Sequence, residues 1–127
     1  MKIKIKIFLP IIISLFILFW SVVIPVYVPG LAGPVILNAG VVPHTIAYLT
    51  LSCSWFFYLT KKNINKTLVI SAVLAGTYGI LIEIVQSFLP YRYFSVADMG
   101  VNFAGALLIF PLFYAFPKKI RNKIKKI

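Results

Sequence analysis

Two carboxylates, Glu83 and Asp98, one histidine, His44, and one isolated arginine, Arg92, stand apart from everything else in this 127-residue chain. A histidine beside carboxylates can exchange protons near neutral pH. An arginine can grip a phosphate or carboxylate through paired hydrogen bonds. Gln86, Asn102 and Tyr48 add donors and acceptors that would orient a ligand. A histidine with two carboxylates is also a donor set for a metal, but here each comes from a different helix with no ligand spacing, so no metal and no cofactor are expected. Cys53 is the single cysteine; it can form neither an internal disulfide nor a CxxC site, and among its apolar neighbours it reads as structural. There is no Ser/His/Asp nucleophile arrangement, P-loop or Gly-rich nucleotide motif.

The elements that must position these residues are greasy and basic together. Hydrophobic residues make up 61% of the chain and only 12% is charged, against about 25% charged in ordinary soluble domains. A soluble enzyme and a disordered tail are poor fits. No Asp, Glu, Lys or Arg occurs between Lys6 and Lys61, which leaves room for two membrane crossings of roughly 20 residues each. The apolar pattern predicts spans at about 7–28, 44–60, 67–89 and 97–116. Pro25, Pro29, Gly30, Gly33 and Pro34 break the chain after the first, Lys61 to Lys66 form a polar turn, and Pro90 to Ser95 separate the last two. Barrel strands would alternate in polarity, and these segments do not. The expected fold is therefore a single all-α domain, an integral membrane bundle of four transmembrane helices.

The basic residues orient the bundle. Lys2, Lys4, Lys6, Lys61, Lys62, Lys66, Lys118, Lys119, Arg121, Lys123, Lys125 and Lys126 fall on one side of an even-numbered bundle, and Arg92 falls on the other. The positive-inside rule then makes both termini and the 61–66 turn cytoplasmic. Tyr27, Tyr91, Tyr93 and Phe94 lie near the outer boundary, and Trp55, Tyr58, Tyr114 and Phe116 near the inner one. The formal charge of +11 is read as an anchor to an anionic inner leaflet, at about 1 kcal/mol per basic residue near the surface. Nucleic acid is not an expected partner, because the basic residues flank apolar spans instead of alternating with stacking aromatics. The apolar run after Lys6 outlasts a signal peptide's h-region and lacks an A-x-A site, so a retained signal anchor is expected.

This topology brings the polar residues together. Glu83 stands seven residues before Pro90, about 10 Å below the outer end of the third span. His44, Tyr48 and Ser52 step inward along the second span, and Asp98, Asn102 and Gly105 along the fourth. His44, Tyr48, Glu83, Gln86, Arg92, Asp98 and Asn102 thus share one layer near the outer face. Ser71, Ala75, Gly79 and Glu83 form a small-residue stripe along which another helix can approach, aiming Glu83 at protein and not at lipid. Each residue also has a plainer reading. Ser95-x-x-Asp98 is a helix-start pattern, His44 follows Pro43 at a helix start, Arg92 can be a loop charge or a partner for Asp98, and Gln86 and Asn102 can be interhelical hydrogen bonds. Glu83 alone has no cap or interface position to account for it.

Glu83-Ile-Val-Gln86, followed by Pro90, Arg92, Asp98, Asn102 and Gly105, with His44-x-x-x-Tyr48-x-x-Leu51 upstream, resembles the VanZ-like family of small integral membrane proteins. The resemblance covers roughly residues 40 to 112. It implies a prokaryotic plasma-membrane protein, in a family whose founding member is associated with teicoplanin resistance, and it groups His44, Glu83, Gln86, Arg92, Asp98 and Asn102 as a unit without assigning them chemistry. Many relatives carry an Asp-Lys pair just before the histidine, where this chain has Gly40 and Val41.

Three classes of function fit these residues. In the first, the outer site binds or modifies an amphiphilic envelope ligand, lipid-linked or a lipoglycopeptide, with Arg92 on its anionic group, Gln86, Asn102 and Tyr48 lining the site, and Glu83, His44 and Asp98 as acid–base candidates. In the second, a four-helix transporter working as a homo-oligomer exchanges a proton at Glu83 for a cation; against it, no acid lies near the midplane. In the third, the layer is a hydrogen-bond network in a non-catalytic membrane assembly partner.

Overall fold

A computed structural model describes residues 6–23, 40–60, 63–92 and 94–126. Among these residues there is no strand. The helices are α1 (Phe8–Val23), α2 (Val41–Leu59), α3 (Ile64–Ser87), α4 (Val96–Leu107), α5 (Ile109–Ala115) and α6 (Lys118–Ile124). Residues 24–28 of the expected first span, the breakers from Pro25 to Pro34, the basic residues Lys2, Lys4, Lys61 and Lys62, and Tyr27 and Tyr93 lie outside the described residues.

Helix boundaries follow local chemistry. The Asn63 side chain accepts from the Lys66 amide at 3.0 Å, so α3 begins three residues before the apolar pattern suggested. The Ser95 hydroxyl accepts from the Asp98 amide at 3.1 Å and caps α4, the serine cap that the sequence pattern contains. α2 also starts early, at Val41, and tolerates Pro43 because first-turn amides have no helical partner to lose. The expected fourth span is interrupted at Leu108. Pro111 lacks the N–H that the Leu107 carbonyl would use, and the Leu108 amide is shared between the Ala104 and Gly105 carbonyls, both at 3.2 Å. Phe116 is extended, the conformation that a following proline favours, and α6 starts afresh after Pro117.

Among the described residues two stretches, Ile64–Ser87 and Val96–Ala115, are long and apolar enough to cross a membrane. α1 is apolar but has 16 residues. α2 has 19, diluted by His44, Thr45, Thr50, Ser52 and Ser54.

α2, α3 and α4 pack on one another, and α1 lies against α2 and α3. Ile17, Tyr48, Leu51, Ala75, Ile82 and Ala106 form one half of the core; Phe56, Ile64, Leu68, Ala72, Ile109 and Phe113 form the other. Close approach depends on small residues. A Cβ on Gly105 would stand 2.8 Å from the Thr45 carbonyl oxygen and 2.9 Å from its Cα, and one on Gly79 would stand 2.7 Å from the Asn102 Cβ. The polarity of the packed bundle is inverted relative to a water-soluble protein. Ser52, Ser54, Ser71, Glu83, Gln86 and Asn102 are buried, while Phe8, Ile12, Leu15, Phe16, Phe19 and Val73 are exposed. Water penalises such an exterior and hydrocarbon does not.

Candidate functional site

α2, α3 and α4 converge on a buried polar layer. His44 Nδ1 and Asn102 Oδ1 meet at 2.7 Å, and Asn102 Nδ2 donates to the Gly79 carbonyl at 3.4 Å. Asn102 is fully buried, and the absence of a side chain at Gly79 is what lets it reach that backbone. One turn below His44 on α2, Tyr48 is buried against the same glycine: its Cε1 would lie 3.0 Å from a Cβ there. The His44 and Tyr48 ring centroids are 6.5 Å apart.

Glu83 is 1% exposed. Among the described residues, neither of its carboxylate oxygens has a hydrogen-bond partner. The backbone amide of Ser95 is turned toward it, and Asp98, His44 and Arg92 all lie within electrostatic reach. Its oxygens meet no donor in bonding geometry, yet they are surrounded by the chain's other ionisable groups of this layer. Asp98 is half-buried in the first turn of α4, a position where a helix N-terminus favours negative charge. No three His, Cys, Asp or Glu side chains among the described residues come close enough together to hold a metal ion.

Gln86 and Arg92 reach from the edge of this cluster to the end of α1. Gln86 Nε2 donates to the Ser21 carbonyl at 3.0 Å, Arg92 Nη2 to the Trp20 carbonyl at 3.4 Å, and the Tyr91 hydroxyl to the Val22 carbonyl at 2.7 Å. The last four carbonyls of a helix lack intrahelical partners, and three of those on α1 are served from the α3 end and the loop that follows it. Ser21 has a specific need, since the residue four positions on is Pro25, which has no N–H. Burial draws the pKa of the Arg92 guanidinium below its ordinary value, while Glu83 and Tyr91 pull it back up; a guanidinium stays charged throughout the physiological range.

The seven residues singled out by sequence are thus divided between two tasks. Tyr48, Glu83 and Asn102 form the buried part of the layer with half-buried His44 and Asp98 at its edge, and Gln86 and Arg92 join that layer to α1. Sequence reasoning missed Tyr78, whose hydroxyl donates to the Ser14 carbonyl at 2.6 Å, and the anchoring role of Tyr91; both bond to backbone carbonyls, which no residue pattern marks. Pro25 was the available signal for an unpaired carbonyl at Ser21. A further feature lies between α1 and α2, an apolar groove of about 720 Å³ that reaches His44 and Tyr48.

Comparison of the chain with protein-family models, with curated proteins and with solved structures finds no match.

Proposed function

We propose that this chain is a VanZ-like, four-span plasma-membrane protein of a prokaryote, acting in the cell envelope and in glycopeptide (teicoplanin) resistance by binding or modifying an amphiphilic ligand at its outer-face polar layer. The observation that carries this reading is Glu83, buried to 1% exposure with neither oxygen hydrogen-bonded among the described residues. A purely structural carboxylate in hydrocarbon would be expected to have its hydrogen bonds made within the fold. An intramembrane acid without them, beside a histidine and a second acid, is arranged for something that arrives.

The four-span reading is supported by the apolar exterior, by the two qualifying stretches and by the distribution of charge. Lys66, Lys118, Lys119, Arg121 and Lys123 lie at one end of the chain's spans and Arg92 at the other. In a Cys53→Ala background, a cysteine at Ser95 labels from outside intact cells and one at Asn63 does not; the opposite pattern overturns both the topology and the outer-face site.

Function is tested by teicoplanin susceptibility of cells expressing wild type, Glu83→Gln or empty vector at matched membrane levels. Loss of the wild-type effect in Glu83→Gln is the expected result. Full retention rejects the site, and no difference between wild type and vector rejects the resistance role.

The non-catalytic assembly reading draws on a different observation. Gln86, Tyr91 and Arg92 spend hydrogen bonds on the end of α1, as members of a structural network would. That reading predicts that single replacements of His44, Glu83 and Asp98 all leave function intact.

A further inference from the structure

The groove between α1 and α2 opens beside the polar layer. Its walls include Ile13, Ile17 and Trp20 from α1 and His44, Ile46 and Ala47 from α2. From Pro43 to Thr50 on α2, and from Ile12 to Trp20 on α1, it runs about 10–12 Å along the helices at 1.5 Å per residue. Its volume of about 720 Å³ is that of a small-molecule site. Almost all of its surface is apolar, and among the described residues no Asp, Glu, Lys or Arg lines it. A polar or bulky rigid ligand would lose hydration along this length without recovering a hydrogen bond. A flexible hydrocarbon chain would not.

The two ends differ. The deep end is lined by the uncharged residues Ile12, Ile13 and Thr50. At the outer end stand Trp20, Ser21 and His44, and the Arg92 guanidinium lies against the Trp20 carbonyl. The groove therefore has an aliphatic slot below and a permanent positive charge at its mouth, with a histidine on its wall. The Arg92 charge at this mouth matches an amphiphile with an anionic head.

We propose that the α1–α2 groove is an acyl-chain subsite, taking one chain of an anionic membrane amphiphile whose carboxylate or phosphate head is held at Arg92. The subsite deepens the outer-face ligand reading and rests on it for the position of the head, which the groove delivers to the layer containing His44 and Glu83. The chain gives depth and affinity; Arg92 selects the charge.

Trp20 lines the groove and is one of two tryptophans, so Trp55→Phe leaves a single fluorescent reporter at the site. The purified variant is placed in phosphatidylcholine vesicles, and phosphatidic acid or phosphatidylcholine with dibrominated acyl chains is titrated as a contact quencher. The expected result is saturable quenching of Trp20 by phosphatidic acid at a mole fraction about tenfold below that needed with phosphatidylcholine, as a charge-assisted contact worth about 1.5 kcal/mol or more would give. Arg92→Gln brings the two curves together, and Ala47→Leu or Ile13→Phe, which fill the slot from opposite walls, weaken saturable quenching by both. Equal quenching by the two probes, rising linearly with mole fraction, overturns the proposal, because Trp20 then reports ordinary lipid contact. Quenching by neither also overturns it, because the groove is then closed to lipid. The assay uses no resistance phenotype, so a Glu83→Gln variant that quenches normally but fails in cells separates the subsite from the function of the polar layer.

Discussion

Asn102 fixes the proton of His44. Its Nδ2 reaches the Gly79 carbonyl at 3.4 Å, and its Oδ1 lies 2.7 Å from His44 Nδ1. A backbone carbonyl only accepts, so the amide nitrogen must face Gly79 and the amide oxygen must face the ring. That oxygen also only accepts. The imidazole therefore donates from Nδ1, and in its neutral form it leaves Nε2 as an acceptor.

This arrangement is directly observable, because His44 is the chain's one histidine. Protein labelled with 15N-histidine should show a single imidazole whose neutral form is the Nδ1–H tautomer. Asn102→Leu removes the acceptor and should redistribute the proton between the two nitrogens. A neutral ring carrying its proton on Nε2 in the wild type would contradict the hydrogen bond.

The approach of α2 to α4 leads to a prediction that separates two glycines of one helix. At Gly105 a Cβ would meet the Thr45 backbone at 2.8 Å, whereas at Gly100 it would meet nothing within 4 Å. Backbone cannot rotate away as a side-chain end can. Gly105→Ala should therefore cost about 1–3 kcal/mol by overpacking, while Gly100→Ala should be neutral or gain up to about 1 kcal/mol of helix propensity. Unfolding of the purified protein in mixed detergent measures both, and equal effects at the two positions would mean that the helices do not approach at Thr45.

The sequence placed residues in depth but not in partnership. His44, Glu83 and Asn102 could be assigned to one layer because helical rise converts residue number to height, and the Ser95 cap could be read because capping is local. Pairing depends on rotation about each helix axis, and a chain with 61% hydrophobic residues carries little amphipathic signal to fix that rotation. Gln86 illustrates the loss: its partner is a carbonyl of α1, 65 positions away. α6 is not marked in the sequence, because seven residues of KKIRNKI are too short for an apolar period to stand out. The break at Leu108 was legible in principle from Pro111, but a continuous apolar run hid it.

Gln86 is expected to hold α1 in place. Replacing it by leucine removes the Ser21 carbonyl's donor among the described residues, at a cost of about 1–3 kcal/mol for a buried unsatisfied group. The change should be local. Protease accessibility or hydrogen exchange of α1 should rise in Gln86→Leu while α3 and α4 remain protected, and uniform loss of protection across all helices would instead indicate a general core defect.

Glu83 should behave in the opposite sense to Gln86 when stability and function are measured together. Among the described residues its oxygens make no hydrogen bond in bonding geometry, and the Ser95 amide is turned toward them, so removing the carboxylate gives up one weak contact and relieves the desolvation of a buried polar group. Glu83→Leu is expected to be as stable as wild type or more so, by up to about 1–2 kcal/mol, the pattern seen where a site is kept at the expense of stability. Glu83→Gln, similar in shape, should be close to neutral. Unfolding in detergent gives the stabilities, and the resistance assay gives the activities. A variant that gains stability and loses function identifies Glu83 as retained for what it does to a ligand. A variant destabilised by several kcal/mol would instead show that the carboxylate is bonded within the fold, and the outer-face site would lose its central residue.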